Sequence, residues 1–441
     1  MARIGVVALF GVLLRLWLAW VSADMAPVAD MAQYHDTAIY QREHGEFGPS
    51  ALRGPGYPLV LAVAYSMLGE TNWAGRVANS VIGGLLVLAT GLLARVLGGG
   101  ERALVASAIV ALYPGFLLST LYQMPDTLYA LLLVTCLLAL PRPGPVAAVA
   151  VGVTIGLALI TRSVGLVVIP AAGVSWGVEL ARRQASMREL AGRVLLAAVA
   201  CAAVLAPWLS YTARVTGRPI LDATSGYNAL VGSNPLATGR LELQDGQWLI
   251  ETYPQGAATV ADAELQRLTA AARWASDNQA RWARLAVLKV AYLWGLEGRE
   301  HSALYSRDYF GPRAPATVAA WGAVVLLSFP LLVVAATGGA LAMRGPWTPV
   351  CAATVTLVLA TTAVHVLSFG ESRFHLPLVP LLAATASLRW PPRDGVSPTR
   401  ATGAAMVLAL FIAAWTWQLP EMWKRLDTIR APGGSLSIID Y

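Results

Sequence analysis

The sequence predicts an all-α polytopic membrane protein with about eleven transmembrane helices, within a range of about ten to thirteen, and two large extracytoplasmic loops. Three observations carry that prediction. Hydrophobic residues make up 56% of the 441-residue chain and charged residues only 13%, about half the roughly 25% charged content of an average soluble protein. The apolar residues fall in long runs divided by short polar turns, and a helix needs about 20 of them to span a bilayer. The basic residues, all arginine except Lys289 and Lys424, gather in those turns, where they act as topology determinants. The net charge of +7 is therefore read as orientation rather than affinity for nucleic acid. A soluble multidomain enzyme and a disordered regulator are excluded. Cys136, Cys201 and Cys351 lie inside apolar runs without ligand spacing, so they make neither a disulfide framework nor a zinc site.

The first run, Ile4–Val21, follows Arg3 and has no small-residue cleavage site, which reads as a retained anchor with its N-terminus inside. The next strong run, Val77–Val96, is bracketed by Arg76 and Arg95; the step between those arginines rises about 28 Å, close to the ~30 Å hydrocarbon core. Between them, Leu59–Leu68 follows Arg53-Gly54-Pro55-Gly56-Tyr57-Pro58 and rises only about 15 Å. A spanning helix there would put every later arginine-rich turn outside. Leu59–Leu68 is accordingly expected to be interfacial or half-inserted, and residues 22–75 to form one external loop. The later runs then alternate: Ala103–Leu121, Thr127–Leu140, Val146–Thr161, Val164–Val178, Val194–Leu209, Thr317–Leu341, Val350–Phe369, Phe374–Leu388 and Ala404–Leu419. Arg142, Arg182, Arg183, Arg188, Arg193, Arg344, Arg389, Arg393 and Arg400 fall inside, and the tail from Pro420 outside. The second large loop opens with Thr224-Ser225-Gly226-Tyr227-Asn228 through Gly232-Ser233-Asn234-Pro235, whose composition predicts turns. An amphipathic helix over Asp262–Leu296 follows, with Trp274, Trp282 and Trp294 suited to the headgroup layer. The chain divides into an N-terminal membrane module (1–211), an extracytoplasmic loop with its amphipathic helix (212–316) and C-terminal membrane helices with a short external tail (317–441).

Both loops share one face, and that face gathers the residues able to do chemistry. Asp24 and Asp30 lie in the first loop, and Asp30, Tyr34 and Ala38 share one side of a helix at i, i+4 spacing. Asp30 also reads as an N-terminal acid favoured by the helix dipole. His35 and Asp36 alone read as solvated surface, and an Asp30–His35 metal pair lacks a third ligand. Asp126, after Tyr122-Gln123-Met124-Pro125, suits either a helix cap or a site. Arg162 and Arg373 fall on the external face against the positive-inside trend. Each is a candidate anion ligand, snorkelling to lipid phosphate being the alternative. Arg15, inside the first span, either pairs with a cavity acid or packs. No phosphate-binding glycine loop occurs between a strand and a helix. A donor for this face therefore has to arrive in the membrane.

Taken in order, these residues resemble the C-type membrane glycosyltransferases, in particular bacterial relatives of the protein O-mannosyltransferases (glycosyltransferase family 39-like) and of the lipid A aminoarabinose transferase. The resemblance runs along nearly the whole chain. Its pieces are Asp30-x3-Tyr34 with Asp36-x-Ala38, Pro55-Gly56-Tyr57-Pro58-Leu59, Leu68-Gly69 with Arg76, and Asp126-Thr127-Leu128. They continue through Thr161-Arg162, Pro207-Trp208, Gly226…Asn234-Pro235…Thr238-Gly239 and Glu371-Ser372-Arg373-Phe374-His375-Leu376-Pro377. Each is weak alone; the order and spacing are specific. The resemblance implies transfer of a hexosyl or pentosyl group, with inversion, from a polyprenyl-phosphate carrier to an extracytoplasmic glycan, lipid or protein, at the outer face of a bacterial cytoplasmic membrane. It implies Asp30 as general base, and Tyr34, Asp36, Asp126, Arg162, Glu371, Arg373 and Asn234 as substrate-binding residues. Within that set, Arg162 and Arg373 hold the lipid phosphate and Asp126 shapes the sugar pocket. The partners it implies are the lipid donor, the acceptor and membrane lipids, with no nucleic acid. No cofactor is implied. In the aminoarabinose transferases an acid before the first-loop proline helps bind a metal, whereas Arg53-Gly54 stands there in this chain. A divalent metal therefore lacks support, and aminoarabinose is not the sugar expected. Read as it stands, the chain leaves no room for a large C-terminal external domain. A lipid-linked sugar flippase is the alternative from another class; it calls for mid-membrane charges and symmetric halves, and no internal repeat is visible. A polysaccharide polymerase or ligase is a third, weaker fit.

Overall fold

The computed structural model describes residues 1–22, 30–48, 51–241, 257–305, 315–343, 347–388 and 396–430, and all regular structure among them is helical. The chain is a polytopic helical membrane protein. Helix α1 (Ala2–Val21) coincides with the first apolar run. Helices α2 (Asp30–His44) and α3 (Gly56–Leu68) occupy the first loop. The 13 residues of α3 rise about 20 Å, short of the ~30 Å core. Its Tyr57, Leu61 and Tyr65 are buried while Leu59, Val63, Met67 and Leu68 are exposed. The helix is apolar on both sides and too short to cross the core.

Helix α4 (Asn72–Val96) starts at Thr71, whose hydroxyl accepts the Ala74 amide, and forms the axis of the bundle. Its apolar stretch is 67% buried, against 17% in Met187–Thr216 and 11% in Pro398–Lys424, which are peripheral. The predicted span Ala103–Leu121 is broken into α5 (Ala103–Leu112) and α6 (Pro114–Leu121), bent by 43°. Pro114 lacks the N–H that the Val110 carbonyl would otherwise receive. Arg15 of α1 supplies the donor instead: its guanidinium, fully buried, reaches the Val110 and Ala111 carbonyls at 3.2 and 3.3 Å. Gly83 of α4 makes room for it, since a Cβ there would run into the Arg15 side chain. Arg15 thus packs against main chain and, among the described residues, meets no acid. Arg76 does the same at the end of α1, donating to the Ala19 and Ser22 carbonyls, where the helix dipole favours a cation.

Helices α7 (Asp126–Ala139) and α8 (Pro145–Thr161) are apolar but short. A 3₁₀ turn, Ser163–Val167, leads into α9 (Val168–Ala181). Helix α10 (Met187–Thr216) opens with a capping box between Ser186 and Glu189. The Gly/Asn/Pro segment, predicted as turns alone, contains helix α11 (Ser225–Val231). The predicted amphipathic helix Asp262–Leu296 is two helices, α12 (Val260–Asp277) and α13 (Gln279–Leu293). They part at Asn278, where the backbone leaves helical geometry (φ −124°, ψ 44°). Helix α14 (Gly298–Tyr305) precedes α15 (Pro315–Ala342) and α16 (Pro349–Leu367). The run predicted over Phe374–Leu388 begins as a 3₁₀ turn, Ser372–Leu378, before the short α17 (Val379–Ala386); α18 (Pro398–Arg430) follows.

Each of the eleven predicted runs coincides with helical structure, but their number is not reached by length and composition. Among the described residues seven helices are long and apolar enough to cross, or eight with the bent pair taken as one span. Asp24, Arg344, Arg389, Arg393 and the tail beyond Arg430 lie outside the described residues. One large core joins α4, α5, α7, α8, α9, α16 and α17. A second, around Tyr34, Tyr57, Leu61, Tyr65, Leu118 and Met124, fastens the first-loop helices to α6.

Candidate active site

Four segments far apart in sequence converge through two acids and three arginines. Asp30 and Asp126 are the first residues of α2 and α7, where the helix dipole favours a carboxylate. Arg162 follows the last residue of α8 with extended backbone (φ −151°, ψ 129°), and Arg373 sits in the 3₁₀ turn Ser372–Leu378. Arg162 Nη1 donates to Asp126 Oδ1 at 2.5 Å. Arg373 gives Nε and Nη2 to Asp126 Oδ2, at 3.2 and 3.1 Å, and Nη1 to Asp30 Oδ2 at 3.4 Å. Arg53 Nη2 donates to Asp30 Oδ1 at 2.5 Å. Asp126 is 1% exposed and both its oxygens are engaged, so it orients the two arginines. Asp30 is half-buried.

Three guanidinium groups face two carboxylates, leaving a surplus of positive charge. Arg299, at the start of α14, adds to it by acting on both acids. Burial alone would raise the pKa of Asp30; the charges of Arg53, Arg373 and Arg299 outweigh it and hold the carboxyl below its usual range. The result is a partly buried, net cationic cluster with one carboxylate oxygen bound only loosely. Such a cluster can receive an anion and can keep a base ionised.

Close backbone approaches hold the parts in register. A Cβ on Gly54 would collide with the Ile160 carbonyl, and one on Gly56 with Thr161; the Arg53–Gly56 turn therefore lies directly against the residues that lead into Arg162. Asp126 is set by the turn before it, where Gln123 adopts the left-handed region (φ 47°). That conformation costs a non-glycine residue energy, and Gln123 is held in it by the Tyr65 hydroxyl at 3.2 Å and Asn72 Oδ1 at 3.2 Å. Arg373 is fixed from behind by His375, two residues on. The buried His375 Nδ1 donates to the Leu293 carbonyl at 2.7 Å, its ring stacks on Phe329 at 3.5 Å, and Nε2 faces Glu297 Oε1 at 3.5 Å. Glu297 in turn accepts the Tyr113 hydroxyl at 2.6 Å, tying this turn to the break between α5 and α6.

The remaining predicted site residues divide. Tyr34 is buried edge-on against Tyr57 (5.3 Å) with Arg53 over its ring, so it is a wall of the Asp30 side. Glu371, with Arg299, Arg240, Tyr292, Gln418 and Glu421, lines a small, open pocket beside Ser372. Asp36 is exposed, and no hydrogen bond or ion pair among the described residues joins it to the arginines. The Asn234 amide is taken up by its own turn, donating to the Leu230 and Val231 carbonyls and accepting the Leu236 amide. Arg299 and Glu297 lie within residues 212–316 but after the predicted amphipathic helix, without a sequence signal. Arg53 is visible only as the unexpected residue before Gly54-Pro55. Among the described residues no group of three or more His, Cys, Asp or Glu is placed to hold a metal ion.

No protein-family model matches the chain, and no curated protein matches it. Solved structures do. ArnT from Cupriavidus metallidurans bound to undecaprenyl phosphate superposes with a TM-score of 0.50 and 17% identity, over 93% of this chain and 64% of that one. The oligosaccharyltransferase of Archaeoglobus fulgidus in its apo form gives 0.52 and 15%, over 99% of this chain and 56% of that one. The chain therefore spans less than two thirds of either. It shares its helical membrane fold with these two proteins.

Proposed function

We propose that the protein is a glycosyltransferase that moves a sugar from a polyprenyl-phosphate carrier to an acceptor hydroxyl, at the extracytoplasmic face of a bacterial cytoplasmic membrane. The observation that carries this is the convergence of Arg162 and Arg373 on the buried Asp126, with the Asp30 carboxylate 3.4 Å from Arg373. Two arginines oriented by one buried acid suit a phosphate, which guanidinium groups bind through paired charge-assisted bonds. The bound undecaprenyl phosphate in the ArnT structure supports a lipid phosphate as that anion.

The chemistry then follows from the arrangement. The donor phosphate takes over the Arg373 contacts now made by Asp30, and Asp126 keeps both arginines in place. The acceptor oxygen attacks the anomeric carbon from the face opposite the phosphate, while Asp30 Oδ2 takes its proton. The bond from the anomeric carbon to the phosphate oxygen breaks, and polyprenyl phosphate leaves as an anion held by Arg162 and Arg373. The configuration inverts because attack and departure lie on opposite faces. Asp126, in this reading, serves the arginines rather than the sugar, and Glu371 and the cavity beside it border the reacting centre.

Transfer from a synthetic polyprenyl-phosphate sugar in detergent tests the reading, because detergent abolishes the two sides a flippase needs. Product formation is expected. Asp30→Asn keeps the side-chain shape and removes the base, so turnover should fall about 10²–10⁴-fold with donor binding retained. Asp36→Asn should be mild. Near-normal turnover in Asp30→Asn would remove Asp30 as the base. No product from any donor, with lipid movement in vesicles instead, would favour the flippase.

A further inference from the structure

The chemistry above gives Arg53 no task, yet Arg53 makes the shorter of the two contacts to Asp30. Its Nη2 lies 2.5 Å from Asp30 Oδ1, its Nε donates to Gln33 Oε1 at 3.0 Å, and its guanidinium sits over the Tyr34 ring at 5.3 Å. Three contacts to the first turn of α2 fix the plane of the group relative to the carboxylate. The backbone behind it is equally constrained. Gly54 and Gly56 press on Ile160 and Thr161, and the Ala51 carbonyl accepts the Ala223 amide at 2.8 Å. Arg53 is therefore anchored at both ends, unlike a surface arginine free to find the nearest acid. Its side chain is 31% exposed, so replacing it leaves no cavity in a core.

We infer that Arg53 is the positioning residue of the Asp30 carboxylate: it grips Oδ1, so that Oδ2 remains turned toward Arg373 and is the oxygen that receives the acceptor proton. The inference rests on Asp30 being the base. When a donor phosphate draws Arg373 away, Asp30 loses one of the cations that keep it ionised; Arg53, bonded to Oδ1, stays. The charges acting on Asp30 from the packed elements are Arg53 from the first-loop turn, Arg373 from the 3₁₀ turn and Arg299 from α14. Of these Arg53 acts most strongly. A rotated or protonated Asp30 would still bind, but it would not take a proton in the direction the attack requires. Lysine keeps the charge without the planar fork that spans Asp30 and Gln33.

The test uses the full chain in detergent and needs no sugar donor for its first arm. Dicyclohexylcarbodiimide reacts with protonated carboxyls, so the Asp30 adduct, measured by mass spectrometry against pH, reports the ionisation of Asp30. In Arg53→Gln the pH of half-maximal labelling should rise by about one unit, which is about tenfold more adduct at a given pH. In Arg53→Lys it should stay near the wild-type value. The second arm is transfer: both variants should lose kcat, Arg53→Lys by about tenfold, with donor KM unchanged. Coincident labelling curves for wild type and Arg53→Gln would overturn the inference. So would a rise in donor KM as the sole effect, which would make Arg53 a phosphate ligand. If Arg53→Gln does not purify as a single species, Arg53→Lys decides by itself: an unchanged kcat overturns the proposal. Full turnover in Asp30→Asn, by contrast, would remove the base reading while leaving the labelling result valid for the Arg53–Asp30 pair.

Discussion

Arg373 gives three nitrogen atoms to two carboxylates, Nε and Nη2 to Asp126 and Nη1 to Asp30. One ammonium group cannot cover that spread, so Arg373→Lys is not a conservative change. Losing one charge-assisted contact is worth about 1.5–3 kcal/mol, and donor KM should rise about 10- to 150-fold in steady-state kinetics, with protein insertion unaltered. An unchanged KM would take Arg373 out of the phosphate site. The same residue shows what a sequence discloses at this scale. Asp30, Asp126, Arg162 and Arg373 each break a local regularity: acids opening helices on an otherwise apolar chain, arginines that the predicted topology puts outside, against the positive-inside trend. Those four do meet. The pairings themselves are tertiary, spanning 36, 247 and 343 residues, and no spacing rule encodes them. Arg299 breaks no local rule, so only the fold reveals it; Arg53 shows in the sequence only as the unexpected residue before Gly54-Pro55. Asp36 and Asn234 enter the site through the resemblance alone; exposure separates the first from it, and a self-satisfied turn the second.

Among the helices, most predicted runs stand, and the departures concentrate where the backbone is interrupted. Hydropathy registers a continuous apolar run across Tyr113-Pro114, whereas the missing N–H breaks it. The compensating donor, Arg15, lies 95 residues away. Replacing it by methionine preserves length and apolar packing but orphans two buried carbonyls, each costing about 1–3 kcal/mol. Arg15→Met should therefore unfold at a lower temperature than wild type in a detergent thermal melt; equal midpoints would show that water or other donors suffice. Helix α14 carries a second, pH-dependent element. Burial first, and the neighbouring Glu297 second, push the Glu300 carboxyl up to about 7. A carboxyl raised on folding stabilises the protein fully below the unfolded value, and that contribution is lost as pH climbs through about 7. Thermal stability should accordingly decline between the ordinary carboxylate range and about pH 7. Glu300→Gln should flatten that decline and leave the melt at low pH unchanged. A pH profile identical to wild type would show that Glu300 is ionised throughout.

For the whole molecule the decisive matter is sidedness. Asp36 and Leu236 belong to the two large loops and are exposed, and Arg188 at the start of α10 is exposed as well. With Cys136, Cys201 and Cys351 replaced, single cysteines at Asp36 and Leu236 should react with an impermeant thiol reagent in intact cells. One at Arg188 should react only after permeabilisation. Labelling of Asp36 and Leu236 from opposite sides would refute a single-face site. Fold class was legible from composition and periodicity because the bilayer imposes both. The helix count was less so, since α7 and α8 stop short to deliver Asp126 and Arg162 at their ends. The ring of carboxylates and guanidinium groups has a consequence for selectivity. On the proposed function, Arg162 and Arg373 each already hold an internal anion, so an incoming anion must compete with a partner that never diffuses away. Inorganic phosphate from bulk solution competes poorly on those terms. A headgroup tethered in the same membrane meets the ring at high local concentration, and that tether gives it the advantage. Under that proposal the internal carboxylates act as a filter that admits anions by how they arrive as much as by what they are.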